Sequence, residues 1–223
     1  MLLEQRYGSP KRQRLKDPFE MIVWENVAYL VDDDRRRALF NALRRELGID
    51  PTRILDCPGP VLTEIIKDGG MQPTQRAAKL QRAARLTLEI GRAELRAAVR
   101  ERPDDARRLL RKFPGIGEPG ADKILLFMRS GPTLAPDSNG LRVLTRLGFC
   151  SEHKNYAATY RSALDATAPM LPRDFSWLIP AHLLLRKHGQ AVCRRSEPHC
   201  GVCPLKKQCQ WFRTRSHAGV QRG

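Results

Sequence analysis

The feature that most restricts this chain is a run of four cysteines, Cys193, Cys200, Cys203 and Cys209, packed into seventeen residues near the C-terminal end. Their spacing is C-x6-C-x2-C-x5-C. Thiolates are soft ligands that suit iron–sulfur clusters or zinc. A zinc ribbon usually shows two CxxC knuckles separated by a longer stretch, whereas here only Cys200 and Cys203 form one. The compact, unequal spacing of the outer pair favours iron–sulfur, with zinc as the alternative. A reducing compartment argues against a disulfide framework for the six cysteines. Cys57 and Cys150 stand alone and read as buried small apolar side chains.

Outside that loop the pattern is helical. Apolar residues recur at three and four, as in Ile22, Val23, Val27 and Leu30, or Leu80, Ala83, Ala84 and Leu86. Asp17-Pro18 opens a helix, with proline at its first position. Gly48 closes the segment that begins near Asp34. Pro60 and Gly69 bracket another. Thr74 reads as the N-cap of the segment ending at Gly91. Pro103, Gly117, Pro136 and the stretch from Pro172 to Asp174 start four more. No alternating strand pattern of useful length occurs, so the expected class is all-α. Residues 1–16 are basic and polar and read as loosely held.

The balance of 40 basic against 24 acidic residues, a net +16, points to a polyanion as partner. No run of eighteen apolar residues exists, and the N-terminal stretch lacks the apolar core of a signal peptide. A cytoplasmic, nucleoid-associated protein without a membrane partner is the expectation.

Two further segments carry candidate chemistry. Phe113-Pro114-Gly115-Ile116-Gly117 lies between helical segments. Its glycines let the backbone turn tightly and approach a ligand, and the following helix presents free N–H groups to an anion. A plain interhelical turn would look the same. About twenty residues on comes Pro136-Asp137-Ser138-Asn139-Gly140-Leu141-Arg142-Val143. Asp137 is an N-cap candidate there, the commonest job for such a residue. A fixed carboxylate could also stabilise a sugar cation as an N-glycosidic bond breaks.

Taken together, the cysteine spacing with His188-Gly189-Gln190-Ala191-Val192 before it, the P-G-I-G hairpin and the Asp loop resemble the endonuclease III-like helix-hairpin-helix DNA glycosylases over roughly residues 17–212. The resemblance implies a [4Fe–4S] cluster on the four cysteines. It implies a phosphate held by the backbone at Gly115, Ile116 and Gly117, and Asp137 as the essential carboxylate with Asn139 orienting it. By the same analogy the fold is two helical domains with a DNA-binding cleft between them. A six-helix barrel with the hairpin spans 22–131, and residues 1–21 pack with a cluster domain at 132–212. Residues 213–223 read as a disordered tail. The partner would be double-stranded DNA containing a damaged or mismatched base, bound by a monomer. Arg194 and Arg195 in the cysteine loop suit DNA phosphates, or simply a solvated face.

Two departures bear on the reaction. Bifunctional members carry a nucleophilic lysine two residues after the hairpin's last glycine; here that position is Pro119. Lys123, four residues on, is the substitute a bifunctional enzyme would need. Glu25 stands seven residues after Pro18 on an otherwise apolar helix. A charge there is costly unless partnered or used. A helix-edge salt bridge is one reading. The other is the glutamate that mismatch adenine and thymine glycosylases carry at that step, whose Asp loop also reads D-x-N. There, raised by burial, it would protonate the leaving base or handle the water.

The expectation is therefore a monofunctional glycosylase. Thymine or uracil opposite guanine is favoured, since the chain stops soon after the cysteine loop without the further domain of adenine glycosylases. Adenine removal at 8-oxoguanine mispairs, a bifunctional glycosylase/lyase using Lys123, and a non-catalytic DNA-binding iron–sulfur protein are the alternatives. Tyr29 and Pro119 are candidate pocket residues. Leu30 and Met71 are candidate wedges for the space a flipped base leaves, or else core side chains.

Overall fold

The computed structural model describes residues 2–214. Among them the protein is all-α, and the sole β feature is an isolated bridge between Tyr29 and Gly70. The chain forms two compact units. One is Gln13–Gly131; the other joins the N-terminal stretch to Arg12 with the chain from Pro132 onward. Asp17 belongs to the Gln13–Gly131 unit, where its carboxylate is buried against Arg92 and Arg96.

Two helices open the chain: α1 (Leu2–Tyr7) and α2 (Pro18–Asn26). The reading of residues 1–16 as loose is corrected at α1, which buries Leu3 and sets Tyr7 Oη 2.9 Å from His188 Nδ1. Helix α2 is largely enclosed within its unit. Asp17 caps it by accepting from Glu20 N at 2.9 Å, and Phe19, Met21, Ile22 and Val23 are fully enclosed. The same unit holds α3 (Asp33–Leu47), α4 (Pro51–Asp56), α5 (Gly59–Ile66), α6 (Pro73–Ile90), α7 (Arg92–Glu101), α8 (Pro103–Leu110) and α9 (Glu118–Phe127), of which α3, α6, α7 and α9 pack on α2.

One core joins them, with Phe40, Leu43, Ile54, Leu62, Leu80, Leu95, Leu110 and Ile124 fully buried. Gly48 ends α3 in the left-handed region at φ 67°, as its position suggests. Thr74 does not cap α6. Gln72 stands at the cap with φ 55°, and Pro73 takes the first helical position.

The second unit contains α10 (Ser138–Leu147), α11 (Tyr156–Thr167) and α12 (Phe175–Ala191), with α1 packed on α12. Asp137, Asn155 and Asp174 cap the three through side-chain oxygens. Helix α10 therefore starts one residue after Asp137, not at Pro136. Beyond α12 the cysteine loop has only two single 3-10 turns, Cys200–Val202 and Lys206–Gln208. The tail expected at 213–223 lies mostly outside the described residues; Arg213 and Thr214 end a short helical turn. Cys57 is buried as expected, while Cys150 is half-exposed with its Sγ 3.3 Å from Thr145 Oγ1.

Candidate active site and cysteine loop

The last turn of α2 carries Glu25 and Asn26. Glu25 Oε2 accepts from Lys123 Nζ of α9 at 2.5 Å, and both side chains are about 15% exposed (16% and 15%). A nearly enclosed carboxylate thus has a cation for a partner, the condition under which such a charge is tolerated. Asn26 was missed by sequence reasoning. Its Nδ2 donates to Ile22 O and to Pro114 O, both at 3.0 Å. That second bond ties the hairpin to α2. Gly115 sits at φ 76°, and a Cβ there would lie 2.5 Å from Asn26 Oδ1, so only glycine fits.

Gly117 caps α9 in extended backbone and is exposed like Gly115, whereas the Ile116 side chain is buried in the core. Only the Ile116 backbone is then available to a ligand, and its N–H already donates to Phe113 O at 3.1 Å. Pro119, half-buried in the first turn of α9, brings neither an N–H nor a nucleophile.

The loops leaving α2 and α5 run side by side. Tyr29 N donates to Gly69 O at 2.7 Å. Tyr29, Leu30 and Met71 are 55%, 74% and 58% exposed, so none of the three is a core side chain. Beneath them Arg76 is 4% exposed. Sequence reasoning missed it; its place on the same face of α6 as Leu80 and Ala83 is the signal that could have marked it as inward-pointing.

Asp137 takes the N-cap role that its position suggests. As N-cap of α10 its Oδ1 accepts from Asn139 N at 3.0 Å and Gly140 N at 2.9 Å. Its Oδ2 accepts from Arg186 Nη1 and, at 3.4 Å, from Asn139 Nδ2. The Asp137 and Arg186 side chains are 13% and 16% exposed. Arg186, on α12, carries no motif that announced it. Asn139 Oδ1 in turn accepts from Arg142 Nη2 at 2.9 Å, and Arg142 also donates to Gly189 O and Cys193 O. Tyr156, exposed overall at the start of α11, has its hydroxyl pushed up to about 12 by desolvation and by the nearby charge of Asp137.

All four loop cysteines line one small cavity, together with Arg146, Val192, Pro198 and Trp211. Arg146 Nη1 lies 3.4 Å from Cys193 Sγ and donates to Arg194 O at 2.6 Å, while Nη2 donates to Arg195 O at 3.0 Å. Its guanidinium stacks on Trp211, 4.7 Å from the ring centre. His188 Nε2 is 3.5 Å from Cys203 Sγ. Burial and then the neighbouring thiols push Cys200 and Cys203 upward, a mutual penalty that a bound cationic centre would relieve. Among the described residues no group of three or more His, Cys, Asp or Glu is disposed to hold a metal ion. Arg194 and Arg195 are exposed. No described helix is long and apolar enough to cross a membrane.

No family model matches the chain. Individual proteins do. It is 24% identical over 212 residues to endonuclease III of Thermotoga maritima, covering 95% of this chain and 92% of that one. It is 33% identical over 101 residues to endonuclease III of Rickettsia prowazekii, but there the match spans only 45% of this chain and 44% of the relative. Among solved structures, a trapped endonuclease III–DNA covalent intermediate superposes with a TM-score of 0.74 at 20% identity, covering 96% of this chain and 93% of that one. A thermostable thymine-DNA glycosylase does so with 0.73 at 17% identity, covering 96% and 94%.

Proposed function

The chain belongs to the endonuclease III-like helix-hairpin-helix superfamily of DNA glycosylases, and from that premise we propose that it hydrolyses the N-glycosidic bond of a base flipped out of duplex DNA. The observation that carries this is the Asp137 carboxylate, held by two backbone N–H groups, Asn139 and Arg186 at the head of α10. Flipping exposes the bond. As it breaks, positive charge grows on the sugar, and Asp137 supplies a fixed negative charge against it. The hairpin at Gly115–Gly117 holds a DNA phosphate through its backbone, and Arg194 and Arg195 add sequence-independent attraction. Leu30 and Met71 fill the vacated space, and Tyr29 and Pro119 shape the pocket.

Water is the nucleophile in this reading. Its oxygen bonds to the sugar carbon, the bond to the base breaks with its electron pair leaving on the base, and the water gives up a proton. Glu25 is the group to take that proton. Its ion pair with the Lys123 ammonium supports this role over that of a general acid. Pro119 and the D-S-N loop support the monofunctional mismatch branch, with thymine or uracil opposite guanine as the favoured target. Cys193, Cys200, Cys203 and Cys209 would hold a [4Fe–4S] cluster. Their shared cavity and mutual electrostatic penalty fit it, and hydrolysis draws no electron from it.

One observation favours a second reading. The carboxylate touching Lys123 could take its proton and free the amine to attack the sugar, which would make a bifunctional glycosylase/lyase. A panel of duplexes carrying different lesions and mismatches, assayed with and without alkali, separates the two. Strand cleavage only after alkali marks the hydrolytic enzyme, and the panel names the base. In Asp137→Asn, base release should vanish while duplex binding stays; retained release overturns the assignment of Asp137.

A further inference from the structure

We propose that Arg76 is a positioning residue for base extrusion, because its guanidinium clamps together the two loops that carry Leu30 and Met71. This rests on the wedge reading of those two side chains and adds what holds them. Arg76 donates to five backbone carbonyls. Nη1 reaches Val27 O at 2.5 Å and Ile66 O at 2.9 Å; Nε reaches Met71 O at 3.0 Å; Nη2 reaches Gly70 O at 3.2 Å and Lys67 O at 3.4 Å.

Val27 follows the last turn of α2, and Ile66 and Lys67 end α5. One guanidinium therefore satisfies carbonyls left over at two helix C-termini, where the partial negative charge of each helix also favours a cation. The chain leaving α2 becomes Tyr29-Leu30, and the chain leaving α5 becomes Gly69-Gly70-Met71. Their spacing is set by Arg76 below and by the Tyr29–Gly69 hydrogen bond above.

The packing leaves no slack. A Cβ on Gly69 would lie 2.4 Å from Arg76 Nη1, and one on Gly70 would lie 2.1 Å from Tyr29 O. Leu30 and Gln72 are held at φ 57° and 55°, a left-handed backbone that side chains disfavour and that persists only when its surroundings enforce it. A buried charge whose acceptors are all carbonyls is an expensive way to join two loops compared with apolar packing. What it supplies is fixed direction, since a planar guanidinium holds several acceptors in one geometry. The result is a pair of exposed apolar side chains held in advance of binding, which an inserting wedge requires if it is not to lose entropy on ordering.

The test uses the full-length, cluster-loaded protein and its Arg76→Met and Arg76→Lys variants. Thermal unfolding and visible absorbance check that each is folded. A duplex carrying 2-aminopurine at the target position reports extrusion by fluorescence, independently of base release. Base release is then timed on a fully stacked mismatch and on the same base in a bulge, where little extrusion is needed.

Arg76→Met should lose most of the fluorescence rise and slow release from the stacked target by at least about tenfold, with the loss shrinking to about twofold in the bulge. Arg76→Lys, which keeps the charge but not the fork, should fall between. Leu30→Gly should reproduce the Met variant's split between substrates. An equal loss on both substrates, or a fluorescence rise like that of the unaltered protein in Arg76→Met, overturns the proposal. Should the unaltered protein release no base from any duplex, the glycosylase reading fails, while fluorescence still decides the role of Arg76.

Discussion

Lys123 on α9 donates its ammonium to the Glu25 carboxylate on α2, across 2.5 Å and ninety-eight residues of chain. The amine that a lyase would need and the carboxylate that a hydrolase would need are thus each other's partner. The salt-bridge reading of Glu25 is thus the one the geometry bears out, and the proposed catalytic role is to be tested with that pair in place.

Lys123→Met removes the ammonium from which the nearly enclosed Glu25 accepts, and removing one member of such a pair is destabilising by about 2 kcal/mol or more. Under the hydrolytic reading base release slows but persists. Glu25→Gln removes the proton acceptor and lowers release roughly a hundredfold or more. Borohydride trapping on target DNA should give no covalent adduct with either variant or with the unaltered protein. An adduct that disappears in Lys123→Met would instead establish the lyase.

Arg186 holds Asp137 Oδ2, while the backbone of α10 holds Oδ1. In Arg186→Met the carboxylate keeps its cap but loses the guanidinium on Oδ2, which under the proposed mechanism leaves it less firmly aimed at the sugar. Single-turnover base release should fall by roughly tenfold to a hundredfold. Half-saturating DNA concentration should change little, because other groups hold the duplex. A selective loss of affinity with an unchanged rate would contradict this.

Asp17 gives the protein a defined acid sensitivity. Burial pushes its carboxyl up, but the Glu20 N–H and the guanidinium groups of Arg96 and Arg92 outweigh that and hold it below the ordinary 3.8. A carboxyl depressed on folding contributes stability above its unfolded value and loses it as pH falls through the folded one. Asp17→Asn should therefore cost about 2 kcal/mol at pH 7. The gap from the unaltered protein should close as the pH drops below about 3.8. Urea unfolding of both proteins at pH 7 and near pH 3 checks the sign.

For the cysteine loop, anaerobically purified protein should contain about four irons and four sulfides per chain. Cys203→Ser should lower that content and the visible absorbance with it, and should weaken duplex binding because Arg194 and Arg195 lose their fixed loop. One zinc per chain and a colourless protein would overturn the iron–sulfur assignment.

Much of the candidate site was legible because its signals are local. Asp17, Asp137 and Asp174 begin helices by bonding N–H groups two or three residues ahead, so a short window of sequence contains both partners. Gly115 belongs to a turn whose shape is largely decided within five residues. The four cysteines lie close enough that their spacing constrains a common centre. At Thr74 the local signal fails for the converse reason. Pro73 already supplied the start of α6, and the loop paired with Tyr29, far upstream, decided what precedes it.

By itself, then, the sequence determined the all-α class, most helix starts, the hairpin and the cysteine loop, all of which depend on neighbours along the chain. Only the tertiary structure decided that Lys123 would meet Glu25, that Arg186 would hold Asp137, that Asn26 would tie down the hairpin and that Arg76 would join the ends of two helices. Each of those pairs a charged or polar group with an acceptor many residues away, or on another helix. An arginine or lysine on a helix looks the same in sequence whether it faces water or a buried carbonyl. Packing chooses, because a charge removed from water must find its acceptors inside.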